Sequence, residues 1–190
     1  MSDNRSKKFI FVPFCLMAQA YQAQGIVKYD WKGTIKAIMQ LLIDNEINII
    51  QMPCAESLYK NSLIREPKGL SKYDTEEFNN HCNDLAETVF NEINNIINSG
   101  YEVIAILGIE HSPSCCINYI YTNNGMEKRK GLFIDKLFKR LQKENIEIPM
   151  IGINRKYINK SIKELKLIIE KGSDLYGKRT RGKGVSQNSD

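Results

Sequence analysis

Long apolar runs are missing from this sequence. No stretch of its 190 residues approaches the roughly 20 apolar residues that a membrane-spanning helix needs, so no membrane span is expected. Phosphate-binding fingerprints are also missing. No G-x-G-x-x-G follows the first predicted strand and no G-x-x-x-x-G-K-S/T occurs, which disfavours nicotinamide and P-loop chemistry. The G-x-S-x-G elbow of serine hydrolases is absent as well. No basic, aromatic-interleaved patch runs through the body of the chain, which disfavours a nucleic-acid partner. Cysteine is sparse: five residues, an odd number. That excludes a dense secreted disulfide framework and points to reduced thiols serving a metal or catalysis, in the cytoplasm.

What is present fits a soluble globular protein, 42% hydrophobic and 26% charged, long enough for one domain with a sizeable core. The net charge of +5 is unevenly placed. Lys178, Arg179, Arg181 and Lys183 against Asp190 give residues 178–190 a charge of +3 and leave +2 for the rest. Residues 1–171 are expected to form a single α/β domain, and 172–190 a disordered basic tail. A competing reading makes the N-terminus a signal peptide: Arg5, Lys7 and Lys8 precede FIFVPFCLMA, and Ala18-Gln19-Ala20 looks like a cleavage site. Against it, Pro13 and Cys15 interrupt the apolar core, and cleavage would remove a strand that the fold needs.

Residues 8–14 (KFIFVPF) read as a strand followed at once by Cys15. Asp30 is a candidate N-cap, and Trp31, Ile35, Ile38 and Leu42 mark the buried face of a helix over 31–45. Residues 47–52 (INIIQM) read as a second strand, followed by Pro53, Cys54, Ala55 and Glu56. Residues 57–70 read as loop. Asp74 with Glu77 forms a capping-box pattern before a long helix with Phe78, Cys82, Leu85, Val89, Ile93 and Ile96 on its apolar face and Gly100 at its end. Residues 103–107 (VIAIL) read as a doubly buried strand, leading into a loop with Glu110, His111, Ser112, Pro113, Ser114, Cys115 and Cys116. Asn123-Asn124-Gly125 marks a turn. A helix follows at 133–144, a strand at 148–153 and a helix at 160–171.

Strict alternation of strand and helix predicts a single Rossmann-like domain: about four parallel strands with helices on both faces. Parallel topology puts every strand-to-helix loop on one edge, where ligands bind in such sheets. Cys15, Cys54 and Cys115 each follow a predicted strand, so residues 39 and 61 positions apart in sequence meet on one rim. Thiolates suit iron–sulfur clusters, zinc or copper(I). Iron–sulfur clusters are usually held by four cysteines, so three would leave one iron open. Each cysteine taken singly is more often a packed core residue; three in the same position relative to a strand weaken that explanation. Cys82, on an apolar helical stripe, is expected to pack. Cys116 is either a second thiol at the site or a packed neighbour. His111 can complete a three-cysteine, one-histidine zinc site, which defines the alternative of a metal-binding structural or regulatory module. His81 is expected to be solvated. Glu56 and Glu110 are candidate general acid or base residues. Ser112 and Ser114 either orient a substrate or fix the turn around Pro113.

The Cys15 motif, the PC-x-E of Pro53, Cys54 and Glu56, and the G-x-E-x-SPSC from Gly108 to Cys115 together resemble the thiouracil desulfidase family, in its thiouracil-desulfidase-related branch. The resemblance covers residues 9–153 and includes Gly25, Arg65-Glu66-Pro67-Lys68, Tyr73-Asp74 and the IPMIGI strand from Ile148. It implies a 4Fe-4S cluster on Cys15, Cys54 and Cys115, with a fourth iron that takes the sulfur of a small thiocarbonyl substrate such as a thiolated nucleobase. Water would replace sulfur at carbon without redox change, with Glu56 and Ser112 or Ser114 in the acid and hydroxyl roles. Three departures from the family pattern stand out: Cys116 stands for glycine, Ala55 for proline, and Leu16-Met17-Ala18 for polar residues.

Overall fold

Four apolar runs line up side by side in one sheet. The computed structural model describes residues 3–27 and 31–171. Its strands are β1 (Lys8–Pro13), β2 (Asn48–Met52), β3 (Glu102–Ile109), β4 (Tyr119–Thr122), β5 (Gly125–Lys128) and β6 (Met150–Ile153), and its helices α1 (Phe14–Met17), α2 (Lys36–Asp44), α3 (Ala55–Lys60), α4 (Glu76–Asn98), α5 (Leu132–Lys143) and α6 (Ile158–Lys171). The main sheet has the order β2-β1-β3-β6, and every neighbouring pair in it is parallel. The expected α/β, Rossmann-like architecture is therefore present. No described helix is long and apolar enough to cross a membrane.

Side-chain alternation along the strands divides the interior into two cores. On one face Phe11, Val103 and Ile106 pack with α4 and α5, through Phe78, Val89, Ile93, Phe133 and Leu137. On the other, Ile10, Val12, Ile104 and Leu107 meet α2 and α6 through Ile38, Leu42, Leu165 and Ile169. Burying each of the large side chains contributes roughly 1.5–3 kcal/mol. Strand β3 lies between β1 and β6 and is buried from Val103 to Ile109, which is why residues 103–107 read as one apolar run.

Register then sets the height of the loops. Pro13 pairs with Met52, so Cys15 and Cys54 each stand two residues past a matched pair, at the same level of the same edge.

Several boundaries differ from the sequence expectation. Helix α2 begins at Lys36 rather than near Trp31, and its N-cap position is Ile35. Residues 33–35 are held by the first loop instead: Gln19 N donates to Gly33 O at 2.7 Å, Ile35 N to Leu16 O at 3.0 Å, and Thr34 Oγ1 to Met17 O at 2.6 Å. The Asp30 cap, together with Lys28, falls outside the described residues, as does the tail of 172–190. Residues 55–60 form helix α3, not loop. The cap of α4 is Thr75, whose hydroxyl accepts from Phe78 N at 3.2 Å, in place of Asp74. Strands β4 and β5 form an antiparallel hairpin around Asn123-Asn124, where only a turn was expected. His81 is half-buried and bonds to Ala55 O at 3.0 Å, beside the rings of Tyr59 and Phe78; it is not a solvated residue.

Candidate functional site

Each rim cysteine is placed by a short piece of local structure. Pro13 ends β1, and the chain enters the one-turn helix α1, which carries Cys15. Leu16, next to it, is fully buried and anchors that turn, and Gln19 donates its side-chain amide to the Cys15 carbonyl. Cys54 occupies the N-cap position of α3, which puts Glu56 in the first helical turn. Ser57 closes that turn by donating to Cys54 O at 3.2 Å.

The third loop is folded against the sheet and the start of α5. Pro113 O accepts from Leu132 N at 2.9 Å, and Ser114 O from Phe133 N at 3.1 Å and Ile134 N at 3.2 Å. The loop carbonyls thus satisfy amides that a helix N-terminus leaves without partners. Ile109 N donates to Cys115 O at 3.0 Å and Gly131 N to Cys116 O at 2.9 Å. Three glycines make the space for this. A Cβ on Gly108 would stand 2.3 Å from Cys115 O, one on Gly131 2.5 Å from the Ser114 carbonyl carbon, and one on Gly152 1.5 Å from Glu110 Oε1.

Glu110 is the clasp of the loop. Its buried carboxylate accepts from Asn118 Nδ2 at 2.9 Å and Tyr119 N at 3.0 Å. Cys116 Sγ lies 3.4 Å from the same carboxylate and 2.8 Å from Tyr119 O. Cys116 is therefore turned into the loop interior, and burial, followed by the Glu110 charge, pushes its thiol up to about 12. Cys115 faces the other way. Burial, then the neighbouring Cys54 and Cys15, raise its thiol well above the ordinary value. Burial and Cys54 likewise push Cys15 up to about 12, with Arg155 opposing them. Cys15, Cys54 and Cys115 thus share one electrostatic neighbourhood. Cys82 lies in the α4 core and is raised to about 12, chiefly by burial.

The polar side of this neighbourhood centres on Glu56. Its Oε1 accepts from Ser114 Oγ at 2.8 Å and Ser112 Oγ at 3.3 Å, and its Oε2 from Arg65 Nη1 at 2.6 Å. The two serines differ. Ser112 Oγ also accepts from Cys115 N at 3.0 Å and Ser114 N at 3.3 Å, which fixes the turn. Ser114 is 1% exposed, and its hydroxyl lies 3.5 Å from Cys115 Sγ. The sequence places Arg65 in the 57–70 loop and in a four-residue segment of the resemblance, and leaves open whether it approaches the pocket or faces water. Here it is buried and lies 3.8 Å from Cys54 Sγ. Arg155, near Cys15, was not anticipated. Burial lowers its guanidinium, partly offset by that thiol.

His111 has a left-handed backbone, φ 69°, and stacks on Tyr121 with ring centroids 4.8 Å apart. It lines a cavity of about 550 Å³ with Glu110, Tyr119, Tyr121 and Arg155. Lys68 lines a separate cavity of about 300 Å³ with Arg65 and Tyr73. A cavity of about 460 Å³ at 138–150 precedes β6, at the opposite end of the sheet from the thiols.

Among the described residues, no group of three or more His, Cys, Asp or Glu side chains is arranged to hold a metal ion. The zinc reading, with His111 as fourth ligand, therefore gains no ligand set. A polynuclear cluster sets a different requirement. A structural zinc draws four donors to within about 2.3 Å of one ion, whereas cluster cysteines bind separate irons and stand further apart. Three cysteines at the ends of neighbouring strands offer soft donors, the ligand type such clusters take. Two buried polar atoms beside them, Arg65 Nε and Gln19 Oε1, have no hydrogen-bond partner in the protein.

No family model matches the chain. It is 29% identical over 168 residues to Uncharacterized protein MJ0003 of Methanocaldococcus jannaschii, a match covering 87% of this chain and 99% of that protein. Among solved structures it is similar to one described as the 4Fe-4S-dependent thiouracil desulfidase TudS, with a TM-score of 0.47 and 17% identity, covering 84% of this chain and 99% of that one.

Proposed function

We propose that this protein is a desulfidase that removes sulfur from a small thiocarbonyl compound of the thiolated-nucleobase type. Cys15, Cys54 and Cys115 would hold a 4Fe-4S cluster. The observation that carries this reading is the Glu56 carboxylate, which bonds Ser112, Ser114 and Arg65 beside the loops that bear Cys54 and Cys115.

The overall change is hydrolytic: thiocarbonyl and water give carbonyl and hydrogen sulfide, and no electrons are transferred. A bound cluster, held by Cys15, Cys54 and Cys115, would supply Lewis-acid polarisation of the thiocarbonyl. The protein's own groups manage the proton. Glu56, held by bonds from Ser112, Ser114 and Arg65, is the carboxylate placed to act as general base. It takes a proton from the attacking water, and the Ser114 hydroxyl, 2.8 Å away, orients that exchange. Ser112 holds the loop in shape through its bonds to the Ser114 and Cys115 amides. Arg65 fixes the carboxylate from the other side. The free thiols suit a reducing compartment, and the cytoplasm is the setting we propose.

The test is sulfide release from thiouracil by protein reconstituted with iron and sulfide without oxygen. Stoichiometric formation of the oxo product and sulfide supports the reading. A cluster-loaded protein that releases no sulfide from any of a panel of thiocarbonyl compounds rejects it.

A further inference from the structure

We infer that Arg65 is a positioning residue that couples the Glu56 carboxylate to the sulfur of Cys54 and tunes the metal centre through that sulfur. The inference rests on the cluster reading above.

Arg65 lies against both the proposed base and a proposed ligand. Its side chain is 5% exposed. Nη1 donates to Glu56 Oε2 at 2.6 Å. Nη2 donates to the Tyr21 carbonyl and lies 3.8 Å from Cys54 Sγ. Its main chain joins the same assembly, because Gln24 N donates to Arg65 O at 2.8 Å. A continuous polar line therefore runs from the first loop, through Arg65 and Glu56, to Ser114 and Cys115 in the third.

The guanidinium is buried against the Glu56 carboxylate, so its positive charge has an opposite charge in direct contact. Nε, on the same flank of the guanidinium as Nη2, is buried without a partner in the protein. Nη2 itself has the Cys54 sulfur 3.8 Å away. Hydrogen bonds and positive charge at cluster sulfurs favour the more negatively charged, reduced state and raise the reduction potential. Lysine cannot replace this arrangement: its ammonium is a point charge without the planar fork needed to reach the carboxylate and the sulfur together.

The test uses the full chain reconstituted without oxygen, as wild type, Arg65→Lys and Arg65→Gln. It measures iron and acid-labile sulfide, thermal melting, and the cluster midpoint potential by visible-absorbance redox titration. The potential is a readout that a purely structural role would not move. The expected result is a shift to more negative potential in Arg65→Gln and a smaller shift in the same direction in Arg65→Lys, with iron retained. If Arg65→Gln does not fold, Arg65→Lys decides by the same criterion. Wild-type potential in the folded variants, with wild-type iron, overturns the role of Arg65 alone. A wild-type protein that takes up no iron and sulfide overturns the cluster reading, and this inference with it.

Discussion

Ser114 Oγ donates to Glu56 Oε1 at 2.8 Å across 58 residues of sequence. That bond joins the first turn of α3 to the loop after β3, and it places a buried hydroxyl between a carboxylate and the thiol of Cys115. The neighbouring Ser112 reaches the same carboxylate at 3.3 Å while its oxygen accepts two backbone amides.

The two serines should therefore separate by assay. Ser114→Ala is expected to lower the rate of sulfide release about tenfold, the scale of one lost hydrogen bond to a charged group, with little change in iron content. Ser112→Ala should mainly lower thermal stability, by about 1 kcal/mol, because it frees the Ser114 and Cys115 amides. Equal effects of the two changes on both rate and melting would contradict this division.

Glu56→Gln keeps the size of the side chain but cannot receive a proton. Steady-state sulfide release should fall by roughly 10²–10⁴-fold, the usual worth of a positioned general base. Iron and labile sulfide should stay at wild-type levels, since Glu56 is not one of the three thiol donors. A variant as active as wild type would remove Glu56 from the mechanism.

Gly152→Ala tests the clasp. Its Cβ would stand 1.5 Å from Glu110 Oε1, so Glu110 must leave its bonds to Asn118 and Tyr119 or β6 must move. Destabilisation of about 3 kcal/mol or more is expected from overpacking and the lost bonds, read by chemical denaturation. Gly69→Ala is the control: nothing lies within 4 Å of its Cβ position, and it should fall within about 0.5 kcal/mol of wild type.

Cys82 carries a pH prediction. Its folded-state pKa of about 12 lies above the ordinary thiol value of 9.0. The folded protein therefore keeps this proton where the unfolded chain has lost it, so the stabilisation is complete below about 9 and is lost as pH rises towards 12. Unfolding of the metal-free protein should show a falling stability across that window. Cys82→Ala should cost about 1 kcal/mol near neutral pH and lessen the alkaline decline, to which the raised thiols of Cys15, Cys115 and Cys116 also contribute. An unchanged alkaline slope in Cys82→Ala would show that this thiol does not carry it.

Much of the frame was legible in the sequence because it is written in periodicity. Phe78, Val89 and Ile93 recur at helical spacing and share one core. The run 103–107 is apolar because β3 has a neighbour on each side. The placement of Cys15, Cys54 and Cys115 on one edge follows from parallel topology, and the pairing of Pro13 with Met52 sharpens it. What was not legible depends on contacts distant in sequence. Nothing local distinguishes Arg65 from a solvated loop arginine; it is recognised by its bonds to Glu56 and the Tyr21 carbonyl. Gly131 and Gly152 look like ordinary loop and strand glycines until a Cβ is placed on them. The ambiguity between Cys115 and Cys116 is a question of side-chain direction, and Glu110 settles the direction of Cys116 by holding its thiol inside the loop. The β4–β5 hairpin escaped because four-residue strands carry too little alternation, although Asn123-Asn124-Gly125 marked its turn.

The measurement that tests the central claim most directly is iron and acid-labile sulfide on protein purified without oxygen, for wild type and for Cys15→Ala, Cys54→Ala, Cys115→Ala, Cys116→Ala and Cys82→Ala. The account predicts about four irons and four sulfides per chain in wild type, as a cubane cluster requires. The content should be lost in the first three variants and kept in the last two. Wild-type protein without iron, or equal retention in all five variants, would contradict it.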